Sequence, residues 1–287
     1  MIELQRKMHQ LLNQVQRKLL LEDQIQLWNA QIESLMPQVQ HLQVIMTQEQ
    51  NDVEKLEHVG LASMMHTILG TMDEKIAKEQ QEADEAAENY SAACDKLTNL
   101  QAQVHDAECE LLTLKTCREE YLDILKAQVE LMEQTALHMT EQPQQVGKRL
   151  SLERQRRSLR EALLYCDYLI HATGRITFSL DRIPGLSEAA TIEGLSKAAS
   201  AEAESAMELA TILQAKLAQM GIDPQDHLLV GPYFRTPNTY FFSTDETWSR
   251  LQEAAEQVEI LNKDARKVHS NLTEALTLVE NAIENFE

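Results

Sequence analysis

Apolar side chains recur along this chain at alternating steps of three and four residues, and the rhythm persists over most of its length. The clearest run is Ile25, Trp28, Ile32, Leu35, Val39, Leu42, Met46, Val53 and Leu56, with Glu49 as its one polar member. A seven-residue repeat of this kind lays one apolar stripe along an α-helix and turns it toward a partner helix, forming a coiled-coil seam. Leu4, Met8, Leu11 and Val15 continue a similar stripe upstream. Pro37 removes a backbone donor but leaves the phase of the stripe unchanged, which predicts a kink and no chain reversal.

Gly60 and Gly70 bracket a short apolar segment containing Leu61, Met64, Met65, Ile68 and Leu69. Relaxed backbone at both ends of such a segment predicts the tip of a helical hairpin. A second heptad run follows on Ile76, Ala83, Ala86, Tyr90, Ala93, Leu97, Leu100, Val104, Ala107, Leu111, Leu114, Tyr121 and Leu125. Its early positions are small, which allows close approach of a partner helix. Laid antiparallel on the first run, it predicts arms of roughly 50 residues, about 75 Å at 1.5 Å per residue.

The polar stretch Thr140–Gly147, with Pro143 inside it, predicts a break and a domain boundary. A third helix is expected on Leu152, Leu159, Ala162, Cys166, Leu169, Ile176, Leu180 and Ile183, ended by Pro184-Gly185. Ser187 is placed to cap a fourth, Ala-rich helix that stops near Gly221. Three proline-containing turns then punctuate an aromatic connection that carries Tyr233, Phe234, Tyr240, Phe241 and Phe242. Its rings are expected to pack on a helix. Ser243-Thr-Asp-Glu246 has the pattern of a capping box, and Leu251, Val258, Leu261, Ala265, Val268, Leu272, Ala275, Val279, Ala282 and Phe286 carry a final seam. The predicted fold is all-α. A long antiparallel coiled-coil hairpin (1–141, apolar tip near 60–70) is followed by a second helical bundle (142–287) with one non-helical aromatic loop at 221–243.

Composition agrees with that picture and narrows it. Aromatics make up only 5% of the chain, with 8 Gly and 6 Pro, so narrow seams and few turns are expected. The formal charge of −20 is unevenly spread. Residues 1–147 hold 11 basic and 25 acidic side chains, whereas 148–160 hold 6 basic and 1 acidic. The overall field opposes nucleic acid and anionic lipid, and the short basic segment is the exception.

That segment comprises Lys148, Arg149, Arg154, Arg156, Arg157 and Arg160. It can dock on the chain's own carboxylates or on a protein partner, or it can meet an anionic membrane surface. The tip offers a comparable pair of readings: Met64 and Met65 either plug the hairpin end or adapt to a partner's surface. No stretch is long and apolar enough to span a membrane. Cys94, Cys109, Cys117 and Cys166 contain no Cys-x-x-Cys pair, and the first residues lack the apolar core of a secretion signal. A reduced, cytoplasmic chain is therefore expected.

Chemistry is sparse. His105 and Cys109 share a helix face with Cys117 two turns beyond, but two ligands at helical spacing do not make a zinc site. Neither His-Glu-x-x-His nor a phosphate-cradling Gly-x-x-x-x-Gly-Lys occurs, and no His pairs convincingly with a Ser or Cys nucleophile. The sequence thus points away from enzyme activity, cofactor and metal, and toward a protein partner.

Val53-Glu-Lys-Leu-Glu57, then Leu61 and Leu69-Gly70, then Asp73-Glu74-Lys75, Lys78-Glu79 and Glu82-Ala83 resemble the signature of widespread, uncharacterised coiled-coil proteins of Gram-positive bacteria. Cys117-Arg-Glu-Glu-Tyr121 and Tyr240-Phe-Phe242 with Asp245 and Trp248 resemble the same pattern. The tip departs from it, with Met64, Met65 and His66 where the family has aromatics. The resemblance implies a helical hairpin and no particular activity.

Overall fold

A computed structural model describes residues 2–62, 69–137, 143–183, 189–222 and 244–285. Every described element is helical: α1 (Ile2–Ala62), α2 (Leu69–Thr113), α3 (Cys117–Leu137), α4 (Pro143–Arg182), α5 (Ala189–Gln219) and α6 (Thr244–Glu284). The fold is all-α. No described helix is long and apolar enough to cross a membrane. The chain divides into two compact units, one of residues 20–114 and the other of residues 1–19 with 115–287. The second heptad run is not one helix, because Leu114, Lys115 and Thr116 form a turn between α2 and α3. Thr116 Oγ1 bonds the Glu120 carboxylate at 2.7 Å as α3 begins.

The unit of residues 20–114 holds most of α1 and all of α2. Along α1, Leu35 and Val53 are buried, and Ile25, Trp28, Ile32, Val39, Leu42, Met46 and Leu56 are half-buried. Most positions between them face water, as a single apolar stripe requires. Along α2 the buried residues are Ala83, Ala86, Leu100 and Ala107, and Leu114 is buried just beyond its end; all are members of the heptad series. Carboxylate oxygens of Glu49 on α1 and of Glu79 and Glu82 on α2 all lie within 4.8 Å of one another. Helix α1 runs on through Pro37, so there is no chain reversal there.

The second unit is layered. Helix α4 packs against α3, α5 and α6. It is buried on several sides: Leu159, Ala162, Leu164, Cys166, Leu169, Ala172, Ile176 and Leu180 are all at most 9% exposed. Met8, Leu11, Val15 and Leu19 at the start of α1 are buried too. This core is thicker than a two-helix seam. Each fully buried aliphatic side chain contributes about 1.5–3 kcal/mol of transfer free energy. A polar tie crosses it, as Asn262 Nδ2 of α6 donates to Thr173 Oγ1 (2.6 Å) and to the Ile170 carbonyl (3.1 Å) of α4.

The helix ends follow capping chemistry. Pro143 opens α4 at a first-turn position, where a missing N–H is harmless, and Gly147 sits inside the helix. The break predicted across 140–147 is thus shorter than expected. Helix α5 ends in a Schellman motif. The Ile222 N–H donates to the Leu217 carbonyl and the Gly221 N–H to the Ala218 carbonyl, both at 3.0 Å. Gly221 takes the left-handed φ of 76° that this motif needs. Helix α6 begins at Thr244, directly after the predicted cap residue.

Candidate functional site

The basic segment lies on α4, and Arg154, Arg156, Arg157 and Arg160 each meet a carboxylate of the same chain. Arg154 donates through Nε and Nη2 to Glu133 of α3, at 3.0 and 2.7 Å. Arg156 pairs with Glu153 at 2.5 Å, both nearly removed from water. Burial pulls the Arg156 guanidinium below its ordinary range, and Glu153 acts against that. Arg157 donates to Glu161 at 2.7 Å, and Arg160 to Glu280 of α6 at 2.6 Å. Lys148 is exposed and Arg149 half-buried.

Glu161 is the centre of a second tie. Its carboxylate is 7% exposed and accepts from Arg157 on one oxygen and Lys216 of α5 on the other. Burial pushes this carboxyl upward, but the hydrogen bonds from Lys216 and Arg157 outweigh burial and leave it below the ordinary carboxylate value. Cations also embrace an aromatic ring here. Lys18 of α1 lies 5.9 Å and Arg118 of α3 lies 5.4 Å from the Tyr168 ring centre.

Arg160 reaches further than its neighbours, into a cavity of about 260 Å³ within the layered unit. Leu12 of α1, Leu163 and Leu164 of α4 and Leu276 of α6 make the cavity's apolar walls. Two ion pairs stand in its lining: Arg160–Glu280, and Asp167–His269 with Asp167 Oδ1 3.1 Å from His269 Nε2. The hydrogen bond with Asp167 raises the His269 pKa above its ordinary value, against the opposing effect of burial. Tyr121 of α3 closes one side, its phenol pushed up by burial. Arg160 Nη1 points at the Met8 thioether, 3.3 Å away, a weak acceptor for a charged donor.

Comparison with known proteins finds no matching family model, curated protein or solved structure. Function must be read from the residues themselves. The cysteines near the core are poor nucleophiles: burial lifts Cys166 to about 12 and also raises Cys117. His105 Nε2 and Cys109 Sγ approach to 3.8 Å on an exposed turn of α2, and Cys117 is buried at the start of α3. Among the described residues, the group of three possible metal ligands is Glu49, Glu79 and Glu82, one of which also pairs with Lys78 at 2.9 Å.

The sequence singled out Arg160 but not the groups that surround it, because Met8 comes from α1 and His269 and Glu280 from α6, far from Arg160 in the chain. Leu61 falls in the last turn of α1 and Leu69 opens α2. Met64, Met65 and Ile68 of the predicted tip lie outside the described residues, as do Tyr233, Phe234, Tyr240, Phe241 and Phe242 of the aromatic loop.

Proposed function

We propose that this chain is a non-enzymatic coiled-coil scaffold or protein-interaction module working in the cytoplasm. A helical hairpin of residues 20–114 provides reach, and the layered unit provides an anchored body. The observation that supports the reading is the placement of Glu49 beside Glu79 and Glu82. Residues 49 and 79 are equidistant from residue 64, and 49 and 82 from a point between 65 and 66. Antiparallel packing of α1 on α2 places them together, and the protected heptad positions on both helices fit that pairing. The four cysteines are free thiols, in keeping with a reducing compartment.

A peripheral membrane role based on the basic segment is less well supported. Arg154, Arg156, Arg157 and Arg160 already meet internal carboxylates, so an anionic surface would have to compete with them. The test of the scaffold reading has two parts. On this reading each seam closes within one chain, and size-exclusion chromatography with light scattering should give a monomer near 32.7 kDa. Crosslinking pull-downs from native cytosol should then recover a protein partner that is lost from a Met64→Glu/Met65→Glu chain. An obligate dimer, or a partner set indifferent to the tip, would count against the proposal.

A further inference from the structure

We propose that the cavity between α1, α3, α4 and α6 is a binding site for a small zwitterion with an apolar side chain, of which a free aliphatic α-amino acid is the simplest case. The inference goes beyond the scaffold reading and does not depend on it.

Size sets the first limit. A volume of about 260 Å³ lies just below the usual range of ligand pockets, which favours a small guest over a drug-sized one.

The lining sets the chemistry. Leu12, Leu163 and Leu276 present an apolar wall that favours an aliphatic body. The charged groups come as two oppositely signed pairs, Arg160 with Glu280 and Asp167 with His269. A guest of one net charge gains attraction from one member of each pair and repulsion from the other. A guest carrying both signs can satisfy both at once, its carboxylate toward Arg160 and its ammonium toward Asp167 and Glu280.

One donor already lacks a good partner. Arg160 Nη2 holds Glu280 at 2.6 Å, but among the described residues Nη1 meets only the Met8 sulfur at 3.3 Å. A carboxylate oxygen is a far stronger acceptor than a thioether, so a guest carboxylate gains a charge-assisted hydrogen bond without breaking the Glu280 pair. His9 on the rim is exposed, so the cavity meets solvent and a guest has a route in.

The test is isothermal titration of the full chain with leucine, N-acetylleucine and leucinamide. Leucine should bind saturably. N-Acetylleucine, which lacks the ammonium, and leucinamide, which lacks the carboxylate, should each bind at least about tenfold more weakly. Arg160→Gln should erase the preference for leucine over leucinamide. Leu276→Trp should fill the space and abolish binding while circular dichroism shows an intact helical fold. Should Arg160→Gln fail to fold, Glu280→Gln tests the ammonium side and should narrow the gap between leucine and N-acetylleucine. Absence of saturable binding by leucine overturns the proposal, and so does equal affinity for leucine and N-acetylleucine.

Discussion

The two units are built from the same kind of helix yet hold together by different means. In residues 20–114 each helix buries one stripe and leaves most of the rest of its surface wet. In the layered unit α4 is surrounded, and every buried polar residue among those described belongs to that unit: Gln128, Glu153, Glu161, Thr173 and Ser179. A stripe tolerates change because a truncated side chain opens onto solvent. A surrounded helix does not, since the same truncation leaves a void, and each buried polar group must keep its partner.

Core truncation should show this contrast most strongly. Leu169, fully buried in α4, should cost about 3–5 kcal/mol as Leu169→Ala. Leu35, 8% exposed in α1, should cost nearer 2 kcal/mol as Leu35→Ala, because water and neighbouring side chains relax into the gap. Urea unfolding followed by Trp28 fluorescence in a Trp248→Phe background reports on residues 20–114, and far-UV circular dichroism reports on the whole. Equal costs at the two sites would erase the distinction between the units.

Next comes the buried carboxylate. Glu161→Gln removes the negative charge and one of the two acceptor oxygens that Arg157 and Lys216 share at the joint between α4 and α5. Breaking a buried pair costs about 3–5 kcal/mol. Here the cations are 33% and 29% exposed, so solvent recovers part of that and about 1–3 kcal/mol is expected. The pH dependence has a definite sign. The folded carboxyl lies below its unfolded value, so its contribution is full above the unfolded value and fades as pH falls through the folded one. Acid titration of the Glu161→Gln chain should therefore show a shallower loss of stability than the parent.

Residue by residue, the sequence was legible where the signal is local. The stripe from Ile25 to Leu56, the stop at Gly221 and the start of α6 at Thr244 each rest on a few neighbouring side chains. The turn at Leu114–Thr116 was hidden because Leu111, Leu114, Tyr121 and Leu125 keep heptad phase across it. A signal was present, since Thr116-Cys-Arg-Glu119 has capping-box spacing. The cavity was not legible at all. Arg160 meets Glu280 across 120 residues and Met8 across 152, and no periodicity along one helix encodes such a meeting.

A smaller effect probes the boundary of α5. An added Cβ at Gly221 meets nothing within 4 Å, so the cost of Gly221→Ala is purely that of holding an L-residue at φ 76°. About 1–2 kcal/mol is expected. Loss of amide protection confined to Met220, Gly221 and Ile222, measured by hydrogen exchange, would show that the motif acts locally. Loss spreading along α5 would show that the layered unit depends on its caps as well as on its packing.

The smallest expected effect separates the units by pH. His269 has a folded pKa above its unfolded value, so its bond to Asp167 stabilises the layered unit fully below about pH 6.5 and fades as pH rises through the folded value. The imidazole is 37% exposed, so solvent screens most of the interaction and the change should be slight. Other charges face the same pair: Arg160 and Glu280 line the cavity with it, and Arg266 on α6 opposes its protonation. Thermal unfolding of the parent between pH 6 and 8 should therefore decline slightly more than that of His269→Gln, which cannot titrate. The difference should vanish when Trp28 is the probe, because Trp28 reports on the unit that lacks this pair. A pH-dependent difference of the same size at Trp28 would mean that the two units unfold as one.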